Sequence, residues 1–131
     1  MSKNCTDIEQ SQKLIELGID VNTADMMWDD WSLIDEGWKL SVGYYPEIEK
    51  DYGRKCYPAW SLSALLSVIP QEIFDGEYII NITEGLDDKW ILTYDHCENR
   101  YHSYYGLSSG ADNLVDACVA MIEKLYKRKM L

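Results

Sequence analysis

The stretch Tyr78–Tyr105, YIINITEGLDDKWILTYDHCENRYHSYY, decides the fold. Tyr78, Ile80 and Ile82 fall on alternate positions, and so do Trp90, Leu92 and Tyr94. That two-residue period belongs to strands with one face buried. Gly85 to Asp88 and Glu98-Asn99 supply residues that favour turns. Three consecutive antiparallel strands are therefore expected, at Tyr78–Thr83, Trp90–Asp95 and Tyr101–Tyr105.

Working outward, the period changes to helical on the C-terminal side. Leu114, Ala117, Cys118, Met121, Ile122 and Leu125 form the cleanest apolar stripe in the chain, with Asp112 placed to cap it. Lys124, Lys127, Arg128 and Lys129 gather at its C-terminus, where positive charge suits the helix dipole. On the N-terminal side, Leu62, Leu65, Leu66 and Ile69 repeat at helical spacing after Ser61, a good N-cap, and Pro70 ends that helix. Residues 45–58 carry Pro46, Gly53 and Pro58 and read as a long surface connection. Trp38, Leu40 and Val42 alternate with Lys39 and Ser41, which predicts a strand with those three residues on its core face. Met26 to Ile34 predicts its hairpin partner, turning at Asp35-Glu36-Gly37. Trp28 and Trp31 cannot share a face of a regular strand, so a bulge at Asp29-Asp30 is expected. Thr6-Asp7-Ile8-Glu9 reads as a capping box opening a helix over 7–17, with Gly18 as its stop. The order α-β-β-α-β-β-β-α gives an α+β fold: an antiparallel sheet of about five strands with helices packed on one face. Ile80, Ile82 and Leu92 complete the expected core face.

At 131 residues the chain is expected to be a single domain, 1–131. Its composition, 47% apolar and 27% charged, is that of a globular protein. Twelve basic residues stand against 23 acidic ones, a formal charge of −11. Direct nucleic-acid binding is not expected, because phosphate recognition needs clustered Lys and Arg. The N-terminus is polar and lacks the apolar core of a secretory signal, so a cytoplasmic protein is expected, with no membrane contact. The four cysteines, Cys5, Cys56, Cys97 and Cys118, form no C-x-x-C pair and read as reduced thiols.

No constellation calls for a cofactor, a metal or a catalytic residue. His96, Cys97 and His102 are three local candidates for a zinc site that wants four, and their strand faces conflict. A cysteine nucleophile needs an activating His held by a third group, and Cys118 lies on an apolar helical stripe instead. Asp29-Asp30, Asp35-Glu36 and Asp87-Asp88 fall at expected bulges or turns, and no calcium-loop pattern starts at Asp30. The glycine-bearing run from Gly106 to Gly110 precedes a helix, but Asp112 and Asp116 would repel an anion there.

Three segments, GIDVNTADM (18–26), YPAWSLSALLSVIP (57–70) with its PAWSLSALL core, and LVDACVAMIEKL (114–125), resemble uncharacterised small proteins from prophage-like and mobile regions of gut anaerobic bacteria. No activity attaches to that family. What the resemblance implies is a bacterial cytosol and a gene that travels with phage.

The first 36 residues hold nine carboxylates against two lysines, interleaved with tryptophans. Aromatic anchors rimmed by charge suit a protein-binding surface. The expected function is a non-enzymatic protein-interaction module, with Trp28, Asp29, Asp30 and Trp31 contributing to a contact surface on a protein partner or a second copy. One alternative is an acidic decoy that imitates the phosphate charge of DNA, as some anti-restriction proteins do. The other is a small enzyme without a recognisable motif.

Overall fold

The computed structural model describes residues 3–32 and 37–131. Among them are four α-helices and seven strands in two antiparallel sheets, an α+β fold. The chain divides into two compact units, Asn4–Ala64 and, together with Lys3, Leu65–Leu131. The expected single sheet of about five strands is thus replaced by a three-stranded and a four-stranded sheet. Two strands were hidden in segments read as connections, and each sheet gains one of them.

In the first unit, residues 4–6 run beside residues 60–62: Thr6 N donates to Trp60 O at 2.9 Å, and Leu62 N donates to Asn4 O at 3.3 Å. The buried Thr6 hydroxyl accepts from Trp60 N at 3.0 Å and lies 2.8 Å from the Ser11 hydroxyl. It is therefore committed elsewhere, and the capping box of α1 (Ile8–Leu17) forms one residue later than expected. Asp7 accepts from Gln10 N, and the Gln10 side chain accepts from Asp7 N. Gly18 ends the helix in the left-handed region as expected.

β1 (Met26–Asp30) is the central strand, flanked by β2 (Trp38–Val42) and β3 (Cys56–Ala59). Its register with β2 is unbroken from Met26↔Val42 to Asp30↔Trp38, so the expected bulge at Asp29-Asp30 is absent. The phase conflict resolves differently: Trp31 lies beyond the end of the strand. Asp35 and Glu36 of the expected turn lie outside the described residues. The segment read as a surface connection holds α2 (Glu47–Tyr52) and β3. Pro58 is tolerated in β3 because β3 is an edge strand.

α3 (Leu62–Val68) spans the boundary of the two units; Ser61 Oγ accepts from Ala64 N at 3.2 Å, as a cap should. The second unit then orders β4 (Glu72–Ile73), β5 (Tyr78–Glu84), β6 (Trp90–His96) and β7 (Ser103–Ala111) side by side, followed by α4 (Leu114–Lys127). β7 extends through the run read as a loop, and the cap of α4 is Asn113 rather than Asp112. Between Thr93↔Ser108 and Asp95↔Ser103 the register shifts, and β7 bulges opposite Tyr94. Gly106 sits in that bulge at φ 84°, and a Cβ there would lie 1.8 Å from the Arg128 guanidinium. Arg128 itself donates to Tyr105 O at 3.3 Å, and Lys124 donates to Ser108 O. The basic end of α4 thus holds β7 as well as facing its own dipole.

The α4 stripe packs on β6 and β7, and Cys118, Met121, Ile122 and Leu125 are fully buried with Leu92, Tyr94 and Leu107. Leu114 is half-buried. Ile82 shares a face with Leu92 but stays exposed, because α4 lies over β6 and β7 rather than β5. Ile80 is half-buried for the same reason. The other expected core residues, Trp38, Leu40 and Val42, are exposed on β2, an edge strand. Among the described residues no helix is long and apolar enough to cross a membrane.

Met121→Ala or Leu125→Ala should lower the unfolding free energy by about 2–5 kcal/mol in urea titrations, the usual cost of emptying a buried site. Burial pushes the Cys118 thiol and the Tyr94 phenol each up to about 12. Tyr94 also donates to Pro70 O at 2.5 Å, a bond the phenolate cannot make. Both folded values exceed the ordinary ones, so the native state keeps protons that the unfolded chain releases. Stability should therefore fall as pH rises from 9 towards about 12, and Cys118→Ala should remove part of that fall.

Candidate interaction surface on the N-terminal sheet

Residues paired across an antiparallel ladder point to the same side, so the β1 registers sort the first sheet into two faces. One face carries Met26, Trp28 and Asp30 with Val42, Leu40 and Trp38 of β2 and with Ala59 and Tyr57 of β3. The other carries Met27 and Asp29 with Ser41, Lys39, Pro58 and Cys56.

On the first face, α1 packs at the β3 side. The Trp28 indole donates to Thr6 O at 2.9 Å, and Tyr57 hydrogen bonds to Lys55 and then to Gln12. Those bonds draw the Tyr57 phenol below its ordinary pKa. The β2 side of this face is open. Trp38 is 37% exposed, Leu40 38% and Val42 82%, and the Trp38 ring lies 5.5 Å from Tyr57 across β1. Three neighbouring apolar side chains on one strand of a small sheet thus face solvent.

The second face is organised by one ion pair. Asp29 is only 5% exposed on the central strand, and Arg54 binds both its oxygens, Nε at 3.0 Å and Nη2 at 3.1 Å. Those bonds hold the guanidinium above its ordinary pKa. The same guanidinium lies 4.3 Å from the Trp31 ring centre and 5.3 Å from that of Tyr52, while Lys39 approaches Trp31 at 5.5 Å. Trp31, half-buried, is therefore held by two cations. Beside this pair a groove of 450 Å³ runs along β2, bounded by Met27, Trp31, Tyr45 and Ile48. Gly43 closes β2 at φ 85°, and the Tyr45 ring folds so close that a Cβ there would meet it at 2.8 Å.

The four residues expected to share one contact surface are thus distributed. Trp28 and Asp30 point to one face and Asp29 to the other, with Trp31 past the strand end. Asp30 turns back to accept from Ser32 N at 2.9 Å and from the Ser32 hydroxyl, which lower its pKa. The residues that do face solvent, Leu40, Val42 and Tyr45, were placed in the core or in the connection. Their alternation was visible, but nothing in it says whether a helix covers the face. Arg54 had no signal beyond forming, with Lys55, a basic pair in a segment read as a connection.

In the second unit, His96 and His102 lie across the hairpin with ring centres 6.4 Å apart. His96 Nδ1 accepts from Glu98 N at 3.2 Å, serving the turn, and Cys97 is exposed. Among the described residues no group of three or more His, Cys, Asp or Glu side chains could hold a metal ion. Comparison with protein-family models, curated proteins and solved structures finds no match for this chain.

Arg54→Leu should lower the thermal midpoint, because it leaves Asp29 buried and unanswered. Adding Asp29→Leu should recover part of that loss by removing the stranded charge. A double variant less stable than Arg54→Leu alone would show that the pair does not act as a unit.

Proposed function

We propose that the chain is a non-enzymatic protein-interaction module whose contact surface is the open side of the first sheet. The observation that carries this reading is β2, an edge strand presenting Trp38, Leu40 and Val42 together to solvent. Full burial of a side chain of this kind yields about 1.5–3 kcal/mol, which a partner covering the strand would recover in part. Edge strands also accept a further strand from another chain. Trp31 and its groove extend the surface to the other side of the sheet. The three sequence segments quoted above support a cytoplasmic setting and a mobile-element origin.

The net charge of −11 favours a second reading, the DNA-imitating decoy. Against it, β2 itself carries Lys39 and no carboxylate, and Asp29 beside it on β1 is already neutralised by Arg54. The two readings differ in salt dependence. Immobilised protein should retain a partner, either its own untagged copy or a host protein. Leu40→Asp or Val42→Lys should abolish retention, while raising salt from about 0.05 to about 0.5 M should change it little. Retention that ignores both substitutions and collapses with salt would favour the decoy.

A further inference from the structure

We infer that the occupant of the open edge is the β2 strand of a second copy, added antiparallel about a two-fold axis at Leu40. This rests on the interaction-module reading and names its partner.

The backbone is set for it. Gly43 N donates to Asp25 O at 2.7 Å and Trp31 N to Gly37 O at 2.9 Å, which fixes the phase of the β1–β2 ladder. In that phase Lys39 and Ser41 direct their amides and carbonyls towards β1, so Trp38, Leu40 and Val42 direct theirs outward. No strand lies on that outer side among the described residues. A two-fold axis at Leu40 then matches outward groups with outward groups: Leu40 pairs with its own copy, and Trp38 pairs with Val42 in both directions.

The side chains are self-complementary in the same register. Trp38 meets Val42, an aromatic against a β-branched residue, and Leu40 meets Leu40 on the exposed face. On the opposite face Lys39 meets Ser41, so no like charges stand directly opposed. Lys39 is drawn towards the Trp31 ring besides.

Charge permits the contact at this place. A chain of net charge −11 repels its copy over most of its surface. Residues 37–46, GWKLSVGYYP, contain no carboxylate and one lysine. β2 thus combines outward backbone groups with a stretch free of carboxylates, where two acidic copies can approach. An isologous contact uses one patch twice and closes on itself, giving a dimer with a continuous six-stranded sheet rather than a filament.

One five-residue strand pair is a small interface, so the dimer should dissociate at concentrations on the order of 10–100 μM. Sedimentation equilibrium of the full chain should show the mass doubling across that range. Leu40→Pro should hold it monomeric without disturbing the fold, because the lost N–H points outward on an edge strand. Val42→Lys serves as a second variant and should weaken dimerisation at least about tenfold. In a Cys97→Ser background, Leu40→Cys should form a covalent dimer on mild oxidation, since its Cα separation across the axis, about 5.5 Å, suits a disulfide. Val42→Cys, placed opposite Trp38, should crosslink with its own copy far less. A wild-type chain that stays monomeric above about 300 μM, or equal crosslinking at both positions, overturns the inference. If a monomeric chain still retains a host protein that Leu40→Asp loses, the interaction reading stands and only the self-pairing falls; if neither occurs, both fall.

Discussion

A carboxylate on the central strand of a three-stranded sheet must have its charge answered locally, and the first unit is arranged around that demand. Asp29 is buried between Lys39 of β2 and Cys56 of β3 in the ladder, where water cannot solvate it. Arg54 binds both its oxygens from the segment that leads into β3. The bond therefore fixes where the chain returns to the sheet. Asp30 N bonds to Lys55 O at 2.9 Å as β3 begins, continuing the same ladder. Because the guanidinium also stacks on Trp31 and Tyr52, one cation ties the end of β1 to the end of α2. β2 contributes only Lys39, over Trp31, to that closure, and its outer side is left open.

The second unit meets a different constraint, the fit of one helix to two strands. α4 lies on β6 and β7, and the burial of Leu92, Tyr94 and Leu107 follows from its position. At the far end of the sheet a cost is visible. Phe74 and Asp75 adopt φ 54° and 55° in the turn between β4 and β5, a conformation bulky residues avoid. The Phe74 ring stands 5.1 Å from Tyr104 and 6.3 Å from Tyr78. Aromatic pairs of this kind contribute about 0.5–1.5 kcal/mol each, comparable to the strain they offset.

Much of this was legible in the sequence where a pattern ran long enough. The alternation at Tyr78 and Trp90 and the stripe from Leu114 to Leu125 each repeat often enough to fix an element and its buried side. Cys56–Ala59 and Glu72–Ile73 are too short to show a period, and Pro58 argued against a strand that an edge position allows. At both ends of the chain the cap lies one residue beyond the expected one. Thr6 beside Asp7, and Asp112 beside Asn113, are adjacent competent caps; Thr6 is taken by Trp60 N, while at α4 it is Asn113 that accepts from Asp116 N. The candidate surface was half legible: the Trp38–Leu40–Val42 face was recognised as apolar, but its exposure depends on where α1 lands.

The bulge in β7 couples two positions that are distant along the chain. Gly106 leaves room that the Arg128 guanidinium fills, and Arg128 in turn binds the carbonyl of Tyr105. The left-handed φ at 106 favours glycine, and the flexible Arg128 side chain occupies the space that a Cβ there would need. A side chain at 106 evicts the arginine, and a shorter residue at 128 leaves the bulge carbonyl without its donor. The backbone at 106 and the side chain at 128, 22 positions apart in the chain, thus share one small space.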